Sequence, residues 1–235
     1  MNNEWPFVAV MLKANAADIK SELSSQAYSL EMQIDNEWHC QCVLLTPSGY
    51  LRAITVETGV TGEDTEIVSA GITSLPAGPA ATSLQELDHP QNNWLLLGQP
   101  GGATSVAEGL LPAVQAGCRV IACLDPLDPP KLFNTLKKLP AEYGPQVSVA
   151  YLAADVKDVA TLRQHVQKIQ EHLQKFLPLQ PARLLISGKV DRHNAATLLA
   201  IPGVQGFLLR DQDYDDVCGD ILYLLAALGR ASSDE

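Results

Sequence analysis

The chain has 235 residues, of which 46% are hydrophobic and 18% charged, and its net charge is −11. It can therefore bury a large core, while the acidic balance, with no local block of lysine and arginine, excludes nucleic acid and anionic membrane surfaces as expected partners. The N-terminus lacks a basic leader, and no apolar run is long enough for a membrane span. Five cysteines, an odd number lying mostly in apolar runs, indicate buried thiols in a reducing compartment. We expect a cytoplasmic protein.

Short apolar runs rich in β-forming residues alternate with stretches of helical character along the chain. Eight strands are predicted, at Phe7–Leu12, Cys40–Leu45, Glu66–Ala70, Trp94–Leu97, Arg119–Leu124, Val147–Leu152, Leu184–Ser187 and Gly206–Leu209. Helices are predicted at Ala17–Ser29, Gly49–Thr58, Ser105–Ala116, Lys131–Leu139, Asp158–Leu177, Asn194–Ala200 and Asp216–Arg230. The segment Gly71–His89 contains LPAGPAATS, whose prolines and glycine favour a long loop.

Strands that are apolar on both faces and alternate with helices predict a parallel sheet covered by helices. Eight such units in a chain of this length predict one α/β domain, residues 1–235, folded as a closed (β/α)₈ barrel. The competing open doubly wound sheet usually carries a Gly-rich phosphate motif after its first strand, whereas this first strand ends in MLKAN. No cofactor motif is found, and we expect no cofactor.

Two segments near the end of the chain carry a family resemblance. RLLISGKV (Arg183–Val190) and TLLAIPGVQGFLLRD (Thr197–Asp211) are similar to RIIYGGSV and ELxxxPDVDGFLVGG of the triosephosphate isomerase family. Four earlier segments, FVAVMLKAN, NWLLLGQPGG, AGCRVIACLDP and VAYLAAD, resemble the family's FVGGNWKMN, TWVVLGHSER, EGLGVIACIGE and LAYEPVW. The matches follow the family's order through nearly the whole chain. The resemblance therefore implies a TIM barrel whose site lies at the carboxyl ends of the strands.

The resemblance also places the family's catalytic positions. Its general base, a glutamate, is replaced by Leu152, and its electrophilic histidine by Gln99; the roles of that pair are an established example of pKa tuning in this family. The family's lysine is retained as Lys13. General acid–base groups contribute about 10²–10⁴-fold each to a rate. The replacements therefore predict that isomerase catalysis is largely lost.

The positions that bind the substrate phosphate in the family are also altered. They read Ser187, Gly188 and Lys189 after the seventh strand and Arg210 and Asp211 after the eighth. A carboxylate beside a phosphate dianion costs a few kcal/mol even at an effective dielectric of about 20, which Arg210 and Lys189 can partly offset. We expect a degenerate phosphate site.

Further polar residues are candidates for lining the barrel mouth, binding a metal ion or capping a helix. Gln99, Tyr151, Asp155 and Lys189 are expected to line the barrel mouth with Lys13. Cys40 and Cys42 share one strand face while His39 points away, so we expect no metal site. We expect His165 and His172 on the solvated rim of their helix, and Asp191 or Asn194 as a cap of the next helix.

Three functional hypotheses follow. The first is an isomerase-like barrel that is inactive in the isomerase reaction and acts as a binding, regulatory or structural protein. The second is a functional triosephosphate isomerase interconverting glyceraldehyde 3-phosphate and dihydroxyacetone phosphate, against which Leu152 argues. The third is an enzyme of another class that uses the mouth, with Lys13 and either Asp155 or Asp211 as the reactive pair.

The resemblance also bears on assembly, because the family's third loop forms its dimer. The matching segment here, Gly71–His89, is rich in alanine and proline and lacks the family's polar tip. We expect this region to support either a homodimer or contact with an unidentified protein partner.

Overall fold

A computed structural model describes residues 7–11, 41–46, 68–72, 94–98, 105–125, 129–153, 158–176 and 182–209. The strands are β1 (Phe7–Met11), β2 (Gln41–Thr46), β3 (Val68–Ile72), β4 (Trp94–Leu97), β5 (Arg119–Leu124), β6 (Val147–Leu152), β7 (Arg183–Ser187) and β8 (Gly206–Leu209). The helices are α1 (Val106–Gln115), α2 (Pro129–Leu136), α3 (Val159–Phe176) and α4 (Ala195–Leu199), with a 3₁₀ helix at Ala141–Gln146.

The strands form one curled, parallel sheet in which each strand pairs with its successor in the chain. The last strand also pairs with the first, since Val8 of β1 lies opposite both Cys42 of β2 and Phe207 of β8. This barrel-like arrangement confirms the predicted parallel α/β class. The helices predicted at Ala17–Ser29, Gly49–Thr58 and Asp216–Arg230 lie outside the described residues, so alternation of strand and helix is described only from β4 onward.

Most element boundaries follow the apolar runs. Strands β4, β5, β6 and β8 begin and end at the predicted residues. The third strand extends two residues beyond the predicted end at Ala70, because Gly71 and Ile72 pair with β4; the first two residues of the predicted Glu66–Ala70 strand lie outside the described residues. Helix α2 begins at Pro129, two residues before the predicted Lys131; proline suits a first helical turn, where its missing N–H has no helical partner to lose.

Alternate side chains of the strands separate into two buried clusters, as the pleat of a β-sheet requires. One cluster fills the interior of the curled sheet and consists of Phe7, Ala9, Trp94, Leu96, Ile121, Cys123, Ala150, Leu152, Leu185 and Leu208. The other packs between the sheet and the helices and includes Val8, Leu95, Val120, Tyr151 and Ile186. Consecutive residues of one strand therefore face different environments.

Helix α3 shows how the helices cover the outer face. Its buried positions, Leu162, Val166, Ile169 and Leu173, recur at three- and four-residue steps and form one apolar stripe. A carboxylate oxygen of Asp158 accepts a hydrogen bond from the Thr161 backbone N–H at 3.0 Å and caps the first turn. The helix therefore lies with a fixed face toward the sheet and α2.

Candidate functional site

The carboxyl end of β6 presents an apolar side chain to the interior of the sheet. Leu152 is 8% exposed and belongs to the interior cluster. It lies opposite Ser187 of β7, and the carbonyl of Ser187 accepts a hydrogen bond from the Ala153 N–H at 2.8 Å. The structure thus brings Leu152 and Ser187 together at the end of two adjacent strands.

The turn after β7 places its residues in different surroundings. Ser187 is 1% exposed, Gly188 is half-buried, and Lys189 is exposed to solvent. The carbonyl of Lys189 accepts a hydrogen bond from the side-chain amide of Asn194 at 2.9 Å, which fixes the backbone. Of the predicted phosphate residues, only these three are described; Arg210 and Asp211, like Lys13, Gln99 and Asp155, lie outside the described residues.

The backbone N–H groups of the loop before α4 donate hydrogen bonds to side chains of the same loop. A carboxylate oxygen of Asp191 accepts hydrogen bonds from the backbone N–H groups of His193, at 2.9 Å, and Asn194, at 3.1 Å. The side-chain carbonyl of Asn194 accepts one from the Asp191 N–H in return. The N-cap position is Asn194, but no side chain caps a helical amide; the Asp191 carboxylate instead holds the turn that precedes the helix. An anion would have to displace the Asp191 carboxylate to reach these two N–H groups.

The structure contradicts the placement of Tyr151 at the mouth. Tyr151 precedes Leu152 on the same strand, so the pleat directs its ring outward, into the cluster beneath the helices. Its hydroxyl lies 2.8 Å from Nδ1 of His165 on α3. Burial raises the pKa of the Tyr151 phenol, which therefore keeps its proton. The mouth accordingly loses one of its predicted polar side chains.

A cavity of about 470 Å³ lies between α2 and α3, over the ends of β5 and β6. Leu124 and Tyr151 contribute from the strands, and Pro129, Pro130, Phe133 and Asn134 contribute from α2. The rings of Phe133 and His172 stack with centroids 4.6 Å apart. His165 and His172 are exposed, as expected for the solvated rim of α3, and they also line this cavity, which we call the α2–α3 groove.

The opposite, amino end of the strands is filled by aromatic and guanidinium groups. Inside the sheet, the rings of Phe7 and Trp94 lie 4.9 Å apart. Arg119 lies 5.6 Å from the Trp94 ring and Arg183 lies 5.3 Å from the Phe7 ring, both within cation–π range. The interior of the curled sheet is therefore packed at this end.

The described residues allow statements about metal binding, membrane insertion and thiol chemistry. Among those residues, no group of three or more histidine, cysteine or acidic side chains is arranged to hold a metal ion. None of the described helices is long and apolar enough to cross a bilayer. Cys118 and Cys123 are buried, and burial raises the pKa of Cys118 to about 11. These two thiols are therefore poorly suited to act as nucleophiles at neutral pH.

Comparison with known proteins adds no assignment. No model of a known protein family matches the chain, and no curated protein matches it.

Proposed function

We propose that this chain is a single-domain (β/α)₈ barrel related to the triosephosphate isomerases that has lost isomerase catalysis and acts as a binding or regulatory protein. The strand order, with β8 pairing back to β1, supports the barrel. The motif resemblance supports the relationship. The observation that carries the loss of catalysis is Leu152, a buried hydrocarbon side chain at the position that the resemblance aligns with the family's base.

The isomerase reaction requires a group that removes a proton from one substrate carbon and returns it to the next. A leucine side chain has no lone pair to accept that proton. Among the described residues the buried polar side chains are Ser148 and Ser187, and a serine hydroxyl needs a partner base before it can take a proton. The described interior therefore offers no carboxylate or imidazole in place of the missing base.

The turn after β7 supports a weakened phosphate site. Lys189 is exposed to solvent, and a charge held in water contributes little to binding a specific anion. The two amides before α4 are already satisfied by Asp191. Binding of a triose phosphate would therefore rely on groups that are few or already occupied.

Proton exchange tests the proposal at the level of the missing base. The full chain is incubated with dihydroxyacetone phosphate in heavy water, and exchange of the substrate C–H protons is followed by NMR. We expect exchange no faster than in buffer, both for the natural chain and for Leu152→Gln, which matches the shape of a glutamate without its basicity. Exchange that is faster with the natural chain than in buffer would refute the proposal.

A binding titration separates loss of the base from loss of the whole site. Glycerol 3-phosphate is added to the protein and thermal unfolding is recorded, with inorganic phosphate as the control. We expect equal, small shifts for the two compounds. A saturable shift specific to glycerol 3-phosphate would show that the mouth still binds a triose phosphate, and the protein would then be a sensor of that compound.

A further inference from the structure

We propose that the α2–α3 groove is a binding site for a small planar aromatic molecule that carries one carboxylate. The site lies between α2 and α3 on the outer face of the sheet, and is separate from the barrel mouth. The proposal goes beyond the proposed function, since it holds whether or not the mouth retains any activity.

The first support is the size and lining of the groove. Its volume of about 470 Å³ falls within the range of roughly 300–1,000 Å³ that small-molecule sites occupy. Phe133, the stacked His172 and the tilted Phe176, whose centroid lies 6.3 Å from Phe133, form an aromatic wall. Aromatic walls favour flat rings, because offset stacked and edge-to-face contacts add to the burial of apolar area.

The second support is the arrangement of hydrogen-bonding groups. The Tyr151 hydroxyl lies 2.8 Å from Nδ1 of His165, and a phenol can either donate to that nitrogen or accept from it. In His172 the bond of 2.7 Å joins Nδ1 to the carbonyl oxygen of Lys168, which can only accept, so Nδ1 carries the proton. Nε2 of neutral His172 is then an acceptor. In each histidine, Nδ1 is thus engaged by a fixed partner within the protein.

The third support is the charge along the groove. The described lining residues include one lysine, Lys168, and no acid, although the whole chain has a net charge of −11. Asp158, at the start of α3, is the carboxylate near His165, and hydrogen bonds from Thr161 hold the pKa of Asp158 below its usual value. Lys168 lies about one turn after His165 on α3, and its ammonium is therefore the lining group that favours an anion.

These features together select the ligand class. A ring fits against Phe133 and His172, and a carboxylate fits near Lys168. A neutral ring would leave Lys168 unused, and a cation would be repelled by it. An aliphatic acid would forgo the stacking. We therefore expect both the ring and the negative charge to contribute to affinity.

The test is an equilibrium titration of the full chain with naphthoate, followed by the fluorescence of the probe. Naphthylmethanol and naphthylmethylammonium share the ring without the negative charge, and cyclohexanecarboxylate shares the charge without the ring. We expect saturable binding of naphthoate that is tighter than binding of the other three. Imidazole NMR signals of His165 and His172 should shift on binding, and those of His193 should not.

Three variants locate the site. Lys168→Gln removes the charge and should weaken naphthoate binding about twofold to fivefold, as exposed ion pairs are weak. Phe133→Leu keeps an apolar side chain and should weaken it roughly threefold to tenfold through lost stacking. Arg163→Gln makes the same change of charge at an exposed position of α3 that does not line the groove, and should leave affinity unchanged.

Several outcomes would overturn the proposal. They are an absence of saturable naphthoate binding, equal binding of naphthoate and naphthylmethanol, or equal affinity in the natural chain and Lys168→Gln. Thermal unfolding of each variant checks that it is folded. If Phe133→Leu does not fold, the naphthoate affinities of the two exposed variants, Lys168→Gln and Arg163→Gln, still test the proposal. Failure here leaves the exchange result at the barrel mouth unaffected, so the two proposals are tested independently.

Discussion

The substitution Leu152→Glu tests whether the carboxyl end of β6 is as apolar as the structure describes. Leu152 is 8% exposed and packs in the interior cluster, so its removal forfeits about 1.5–3 kcal/mol of hydrophobic burial. A carboxylate at the same place is also desolvated, which raises its pKa. A rise of about two pKa units adds about 2.7 kcal/mol of destabilisation when the group is ionised. The total expected at pH 7.5 is therefore about 4–6 kcal/mol.

The pH dependence separates the two contributions. The unfolded glutamate has a pKa of about 4.3 and the folded one a higher value, so the unfolded state loses its proton first as the pH rises. The charge penalty is therefore absent below about pH 4.3 and grows as the pH rises through the folded pKa. Leu152→Gln carries no titratable group and serves as the control. Its loss of stability relative to the natural chain should not change with pH.

The assay is urea unfolding of the natural chain and both variants at pH 5 and pH 7.5, followed by circular dichroism. We expect Leu152→Glu to lose more stability at pH 7.5 than at pH 5, and Leu152→Gln to lose the same at both. If Leu152→Glu is destabilised by less than about 1 kcal/mol at both pH values, the site is open to water and the reasoning is refuted.

Three further predictions concern the rest of the molecule. A Cβ at Gly206 would overlap the carbonyl oxygen of Phe7 and lie 2.7 Å from its carbonyl carbon. Gly206→Ala should therefore lower the free energy of unfolding by about 3 kcal/mol or more, as denaturant unfolding can measure. A loss near zero would refute the β1–β8 contact. Cys118 and Cys123 should resist alkylation at pH 8 until the chain unfolds, as mass spectrometry can check, and fast labelling of the native protein would contradict their burial. Burial raises the pKa of the folded Cys118 thiol to about 11, so the unfolded state loses this proton at a lower pH than the folded state. The free energy of unfolding should therefore fall between pH 9 and pH 11. Equilibrium denaturation should show a smaller fall for Cys118→Ala.

Much of the described fold follows from local patterns in the sequence. The bounds of β5 and β6 coincide with continuous apolar runs, because strands buried on both faces leave no place for polar residues. The stripe of α3 follows from its three- and four-residue spacing. The 3₁₀ helix at Ala141–Gln146 was not predicted, since it is a single short segment that follows Pro140, contains Pro145 and has no periodic apolar face.

The site was less predictable than the fold. Placing Tyr151 at the mouth overlooked the pleat, which sends adjacent side chains to opposite faces and could have been read from the alternation alone. The stacking of Phe133 on His172 depends on how α2 and α3 pack against each other. The spacing of apolar residues predicts which face of a helix is buried, but it does not predict which neighbouring helix packs against that face. The α2–α3 groove could therefore be found only in the structure.

The measurement that tests the central claim most directly is a coupled isomerase assay of the full chain with glyceraldehyde 3-phosphate. An active triosephosphate isomerase serves as the positive control, and buffer as the blank. We predict no turnover above the blank, because Leu152 cannot accept the proton that the reaction must move. Turnover within about a hundredfold of the active isomerase would contradict the proposed loss of catalysis, since loss of one general base alone removes about 10²–10⁴-fold of the rate.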